Sequence, residues 1–172
     1  MKKIELLAPA GNMENLIYAV EAGCDAVYLG LKKFGARAFS SNFTDEEVVE
    51  AINYCHLRGV KVYVTLNTLI YDDEVDSFLE SVDFLHKNNV DALLIQDIGM
   101  LDLIRKMYPK LEVHASTQMH IHNLDGVKVM EKLGVKRVVL ARETSIDTIN
   151  YIKKNTNIEL EVFIHGALCI SY

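Results

Sequence analysis

Four segments of the chain repeat one short pattern, and it restricts the fold more than any other feature. Gly23-Cys24-Asp25-Ala26-Val27, Gly59-Val60-Lys61-Val62, Asn89-Val90-Asp91-Ala92-Leu93 and Gly134-Val135-Lys136-Arg137-Val138 each lie between the end of a helical pattern and the start of an apolar run. Gly or Asn at the first position supplies the left-handed residue that stops a helix. The residue after it, usually apolar, anchors a tight turn into a strand. Each unit therefore reads as helix, short turn, strand.

The rest of the chain fits such units. Strands are predicted over Ile4–Leu7, Ala26–Leu29, Lys61–Leu66, Ala92–Ile95, Leu111–Ala115, Arg137–Leu140 and Leu160–Ile164. Their Val-Tyr-Val and Val-Val-Leu cores lack strict alternation, as in parallel strands covered on both faces. Helices are predicted over Met13–Ala22, from the cap Thr44-Asp45-Glu46-Glu47 to about Arg58, from Tyr71 through Leu85, and over Gly99–Met107, Leu124–Leu133 and Ser145–Lys154. Thr44 with Glu47 three residues on is a capping-box signature.

Alternating strands and helices leave a (β/α)8 barrel or an open doubly wound sheet. Ala8-Pro9-Ala10-Gly11-Asn12 after the first strand is not the G-x-G-x-x-G of a dinucleotide-binding sheet. Polar or special residues follow nearly every strand: Pro9-Ala10-Gly11, Gly30, Asn67, Gln96-Asp97, Ser116-Thr117-Gln118, Arg142-Glu143 and His165-Gly166. In a barrel these converge on one mouth. The expected fold is thus α/β, a TIM-barrel-like (β/α)8 architecture that stops after its seventh strand. With 172 residues, against about 150 per domain, residues 1–172 read as one incomplete barrel-like domain. A seven-strand sheet leaves an edge that a second copy or a further segment must cover.

Composition narrows the function. The net charge of −6 argues against holding nucleic acid or an anionic membrane through overall positive charge, and leaves room for a local basic site. No apolar run is long enough for a signal peptide or a membrane span, so a cytoplasmic location is expected. Cys24, Cys55 and Cys169 are odd in number and far apart, unlike a secreted disulfide framework. The G-x-S-x-G, H-E-x-x-H and G-x-x-x-x-G-K-[ST] signatures are missing, which argues against a serine hydrolase, a zincin or a P-loop enzyme.

Several residues carry chemistry. Arg142 and Glu143 follow the sixth strand and point opposite ways. Arg142 suits an anionic substrate group and Glu143 a general base, with an ion pair bracing the rim as the plainer reading. Asp97 is a similar case. His120 and His122 share a metal if their segment is extended, or serve as polar loop residues. His114, within its strand, is an interior hydrogen-bonded residue or a proton-transfer group. Cys169, close after His165, is a nucleophile, a cluster or metal ligand, or an inert thiol. Cys24 and Cys55 lie away from the mouth.

At these residues the chain resembles the collagenase-like peptidase family, peptidase family U32, over essentially its whole length. The resemblance is carried by Glu5-Leu6-Leu7-Ala8-Pro9-Ala10-Gly11-Asn12, Asp25-Ala26-Val27-Tyr28-Leu29-Gly30, Phe34-Gly35-Ala36-Arg37-Ala38 and Val62-Tyr63-Val64-Thr65-Leu66-Asn67. His114-Ala115-Ser116-Thr117-Gln118, Val138-Val139-Leu140-Ala141-Arg142-Glu143 and Val162-Phe163-Ile164-His165-Gly166-Ala167-Leu168-Cys169 continue it. It implies the amino-terminal part of a barrel-like catalytic domain. Members were named as peptidases, and several are instead hydroxylation factors for tRNA or rRNA bases or for a quinone precursor. In some, four cysteines hold an iron–sulfur cluster, the first matching Cys169; the other three would follow Tyr172. The resemblance thus implies RNA-base hydroxylation with cluster or metal assistance. The alternatives are a metal-dependent peptidase acting on a peptide substrate, and a non-catalytic binding module. The implied site comprises Glu143 and His165 as catalytic groups, Arg37, Asn67, Gln118 and Arg142 as substrate-binding groups, and Cys169 as a cofactor ligand. His120 stands where the family usually has an ordinary polar residue.

Overall fold

A computed structural model describes residues 4–36 and 42–166. Strands β1 (Leu7–Pro9), β2 (Ala26–Gly30), β3 (Lys61–Leu66), β4 (Ala92–Ile95), β5 (Glu112–Ala115), β6 (Arg137–Val139) and β7 (Glu159–Glu161) alternate with helices. The helices are α1 (Met13–Glu21), α2 (Asp45–His56), α3 (Val75–Lys87), α4 (Ile98–Met107), α5 (Leu124–Lys132) and α6 (Ile146–Lys154). The strands are ordered β1 to β7 as in the chain. The pairs β1–β2, β2–β3, β5–β6 and β6–β7 run parallel. A doubly wound sheet reverses its order at a switch point, whereas a barrel keeps chain order. The fold is α/β, of the (β/α)8-barrel type, with seven strands among the described residues.

The repeated junctions behave as the sequence predicts. Gly23, Gly59, Asn89 and Gly134 adopt φ of 90°, 71°, 60° and 76°, the left-handed region in which a helix stops. Between each helix and the following strand there are four residues, from Glu21 to Ala26, His56 to Lys61, Lys87 to Ala92, Met107 to Glu112, Lys132 to Arg137 and Lys154 to Glu159. Connections from strand to helix vary instead, from two residues between Ile95 and Ile98 to fourteen between Gly30 and Asp45. All the length variation among these connections therefore lies at the carboxyl ends of the strands.

The chain divides into two compact units, Met1–Leu93 and Leu94–Tyr172. In the first, Val62, Val64 and Leu66 of β3 are fully buried, as are Leu16, Val48, Phe78, Val82 and Leu85 of the helices. The alternate residues of β3 are bonded polar groups: Tyr63 Oη donates to Glu5 Oε1 at 2.9 Å, and Lys61 Nζ lies 3.5 Å from Glu5. In the second unit, Val113, Val138, Leu101, Ile104, Val127 and Ile152 are buried. There the alternate face of β5 to β7 carries Glu112, His114, Arg137, Glu159 and Glu161.

Thr44 forms the expected capping box, with Thr44 Oγ1 accepting from Glu47 N and Glu47 Oε2 from Thr44 N. The helix expected to open at Tyr71 begins as a 3-10 turn over Asp72–Glu74 and becomes α-helical at Val75. The two outermost strands sit differently from the prediction. β1 pairs Leu7 with Ala26 and Pro9 with Tyr28, leaving Ile4 87% exposed. β7 begins at Glu159, where Arg137 of β6 receives it. In both cases the partner strand sets the register.

Candidate functional site

In the second unit the strand ends are tied by backbone bonds. Ser116, one residue past β5, donates its N–H to Ile95 O at 2.9 Å, and its hydroxyl accepts from Gln118 N at 3.3 Å. A 3-10 turn over Thr117–Met119 follows and ends at His120, which is left-handed at φ 54°. Thr117 Oγ1 donates to Leu140 O at 3.5 Å, and Ala141 N to Ile121 O at 2.9 Å. These bonds fasten the half-buried Gln118 segment against the end of β6.

Arg142 and Glu143 follow that fastening in the turn beyond the end of β6, where strand alternation no longer sets their directions. The Arg142 guanidinium carbon lies 4.2 Å from the centroid of the Phe163 ring, and Nη1 donates to Gly166 O at 3.2 Å. Its Nε is buried and has no hydrogen-bond partner among the described residues. Glu143 is exposed, and so is His165 beside Gly166. The second unit thus brings Gln118, Arg142 and the His165 segment into one region. Phe163, which holds the guanidinium, was not among the residues expected from sequence. An arginine after one strand and an aromatic after the next is the signal that would have found it.

In the first unit Asn67 follows β3. Its Oδ1 accepts the backbone N–H of Ala36 at 3.0 Å, so this amide organises the loop after β2. Gly30 ends β2 where space is short: a Cβ there would meet Asn42 Oδ1 at 3.0 Å and Thr65 Oγ1 at 3.2 Å. Arg37 and Cys169 lie outside the described residues.

The remaining candidates take structural places. His114 is fully buried with Nε2 3.0 Å from Glu112 Oε1, the interior hydrogen-bonded reading. Asp97 caps α4 by accepting from Met100 N at 3.0 Å. His122 Nδ1 donates to the carbonyl of His120 at 3.0 Å, which engages one ring nitrogen. Among the described residues no three metal-ligating side chains are gathered together. His56 Nε2 lies 2.8 Å from Asp91 Oδ2, which also accepts Val62 N at 2.7 Å, so this pair braces the start of β3.

An iron–sulfur cluster is held by thiolates. Cys24 and Cys55 do not fit that task. Both are buried. Burial, helped by the neighbouring Asp25 charge, raises the Cys24 thiol. Burial, with Cys24 and Asp91 nearby, pushes Cys55 up to about 11. Both stay protonated near neutrality.

Comparison with known proteins places this geometry in context. A tRNA hydroxylation protein of Bacillus subtilis is 42% identical over 171 residues, 99% of this chain and 40% of that protein. A 23S rRNA 5-hydroxycytidine synthase of Escherichia coli is 40% identical over 170 residues, 99% of this chain and 25% of that protein. The chain therefore spans well under half the length of these relatives. The solved structure of a U32 peptidase superposes with a TM-score of 0.76 at 16% identity, covering 94% of this chain and 70% of that one, a likeness of fold. The sequence model of peptidase family U32 matches residues 11–172, from the turn after β1 through the Arg142 and His165 segments, and the chain belongs to that family.

Proposed function

We propose that this chain is part of an enzyme that hydroxylates a base in tRNA or rRNA in the cytoplasm. The observation that carries the reading is the level of identity, 42% and 40% across 99% of the chain, to two proteins named for RNA hydroxylation. Exposed Glu143 and His165 are the candidate proton-handling groups. Arg37, Asn67, Gln118 and Arg142 are the candidate substrate-binding groups, and Cys169 is the candidate first ligand of an iron–sulfur cluster. At a net charge of −6, RNA is held by such local groups rather than by overall attraction.

Deletion of the gene, followed by mass spectrometry of nucleosides from tRNA and rRNA, tests the reading. The expected result is loss of one nucleoside that is heavier by one oxygen than its parent. Anaerobically purified intact protein is expected to show the broad visible absorption of an iron–sulfur cluster, lost in Cys169→Ala. Unchanged nucleosides in the deletion strain overturn the reading.

A metal-dependent peptidase is the second reading, favoured by the match of residues 11–172 to the sequence model of peptidase family U32. Chelator-sensitive cleavage of a protein substrate, lost in Glu143→Gln, with the RNA unchanged, is the result that selects it.

A further inference from the structure

Building on the RNA-hydroxylation reading, we propose that Arg142 and Phe163 form a stacking platform for one unpaired nucleobase, with the guanidinium plane sandwiched between the ring and the base. Unpaired bases are recognised by stacking on aromatic rings and on arginine planes, and chemistry on a base requires it to leave its own stack.

Three observations describe how the cation is held for stacking. First, the guanidinium carbon is 4.2 Å from the Phe163 centroid, so the ring supports one side of the cation. Second, a fork grip on phosphate takes two adjacent guanidinium nitrogens. Here Nε is buried, which closes the side-on fork through that nitrogen, and one Nη1 hydrogen serves Gly166 O at 3.2 Å. Nη2 and the second Nη1 hydrogen can still donate to a base-edge oxygen or nitrogen. Third, residue 166 is glycine at φ 125°, and a Cβ there would stand 3.7 Å from Arg142 Nη2. That distance is ordinary contact, so the glycine serves the backbone turn that presents its carbonyl to Nη1. The platform is assembled from the ends of two paired strands, β6 and β7, and Glu143 and His165 adjoin it in sequence.

The test uses the intact protein and a hairpin RNA carrying 2-aminopurine at each loop position in turn, because 2-aminopurine fluorescence is quenched when the base stacks. Wild type is expected to quench one position. Phe163→Leu, which keeps apolar bulk without a π face, and Arg142→Lys, which keeps the charge without the plane, are both expected to abolish that quench. Each is expected to weaken binding roughly tenfold, the scale of one stacked base. Phe163→Leu leaves the salt dependence of binding unchanged. Circular dichroism checks that the variants are folded, and either folded variant alone decides the matter. RNA binding with the quench intact in a folded variant overturns the platform and leaves the RNA reading standing. Failure of wild type to bind the RNA overturns both. Phe163-dependent binding of an aromatic peptide in place of RNA assigns the platform to a peptide substrate and overturns the proposal.

Discussion

Arg137 of β6 donates through both Nε and Nη2 to one carboxylate oxygen of Glu159 in β7, at 3.2 and 2.8 Å. Its Nη1 also lies 3.5 Å from Glu161 Oε2, and the arginine side chain is only 9% exposed. Removing one member of a buried pair strands the other charge. Arg137→Met is expected to lower stability by about 2–3 kcal/mol, below the fully buried figure because Glu159 keeps some contact with water. Arg137→Lys recovers only part, since an ammonium cannot reproduce the planar fork. Urea unfolding measures both, and a loss below about 0.5 kcal/mol for Arg137→Met would show that the carboxylates are compensated without Arg137.

Gly59 and Gly134 share a left-handed conformation but not their surroundings. A Cβ on Gly59 meets nothing within 4 Å, whereas one on Gly134 stands 3.2 Å from Arg105 Nε. Arg105 in turn donates to Leu111 O at 2.9 Å. Gly59→Ala is expected to cost about 1 kcal/mol, the backbone contribution alone. Gly134→Ala costs more, because Arg105 must shift as well. Equal losses in thermal unfolding would contradict the crowding at Gly134.

The bond from Ala36 N–H to Asn67 Oδ1 makes Asn67 a loop-holding residue as well as a candidate substrate contact. Asn67→Asp keeps an acceptor at that place and Asn67→Leu does not. The leucine variant is expected to lose about 1–2 kcal/mol and to exchange the Ala36 amide proton faster. The aspartate variant holds the amide near its wild-type exchange rate. Hydrogen exchange followed by NMR separates the two, and equal exchange in both variants would remove the loop-holding role.

Cys55 gives the fold a pH dependence on the alkaline side. Burial raises its thiol from 9.0 to about 11. Between those values the unfolded chain releases the proton and the folded chain keeps it, so stability falls as pH rises. The contribution is complete below pH 9 and declines from there towards 11. Native protein is accordingly expected to resist thiol alkylation at pH 8. In Cys55→Ala, the loss of stability from pH 8 to pH 10 is smaller than in wild type. Rapid alkylation of Cys55 in folded protein at pH 8 would refute the burial argument.

What the sequence made legible was local. The left-handed stops at Gly23, Gly59, Asn89 and Gly134 depend on a residue and its immediate neighbours, and all four stand where their residue types place them. Strand alternation predicts opposite directions for Arg142 and Glu143, but β6 ends at Val139 and both lie in the turn that follows. The starts of β1 and β7 were not legible, because Leu7 is registered by Ala26 and Glu159 by Arg137. Long-range pairings were hidden for the same reason. Arg142 meets Gly166 across 24 residues, and His56 meets Asp91 across 35. No periodicity links such positions. Of the candidate site, the residue types and strand ends could be read, whereas the ring beneath Arg142 and the amide held by Asn67 required the fold.

The unvarying four-residue turns from helix to strand have a consequence for how such a chain can be altered. One residue added there would displace the left-handed stop from its strand and turn the next strand's apolar side chains to the wrong face. The opposite ends already accommodate connections from two to fourteen residues with the same strand order. Insertions are therefore expected to be tolerated after the strands and not before them.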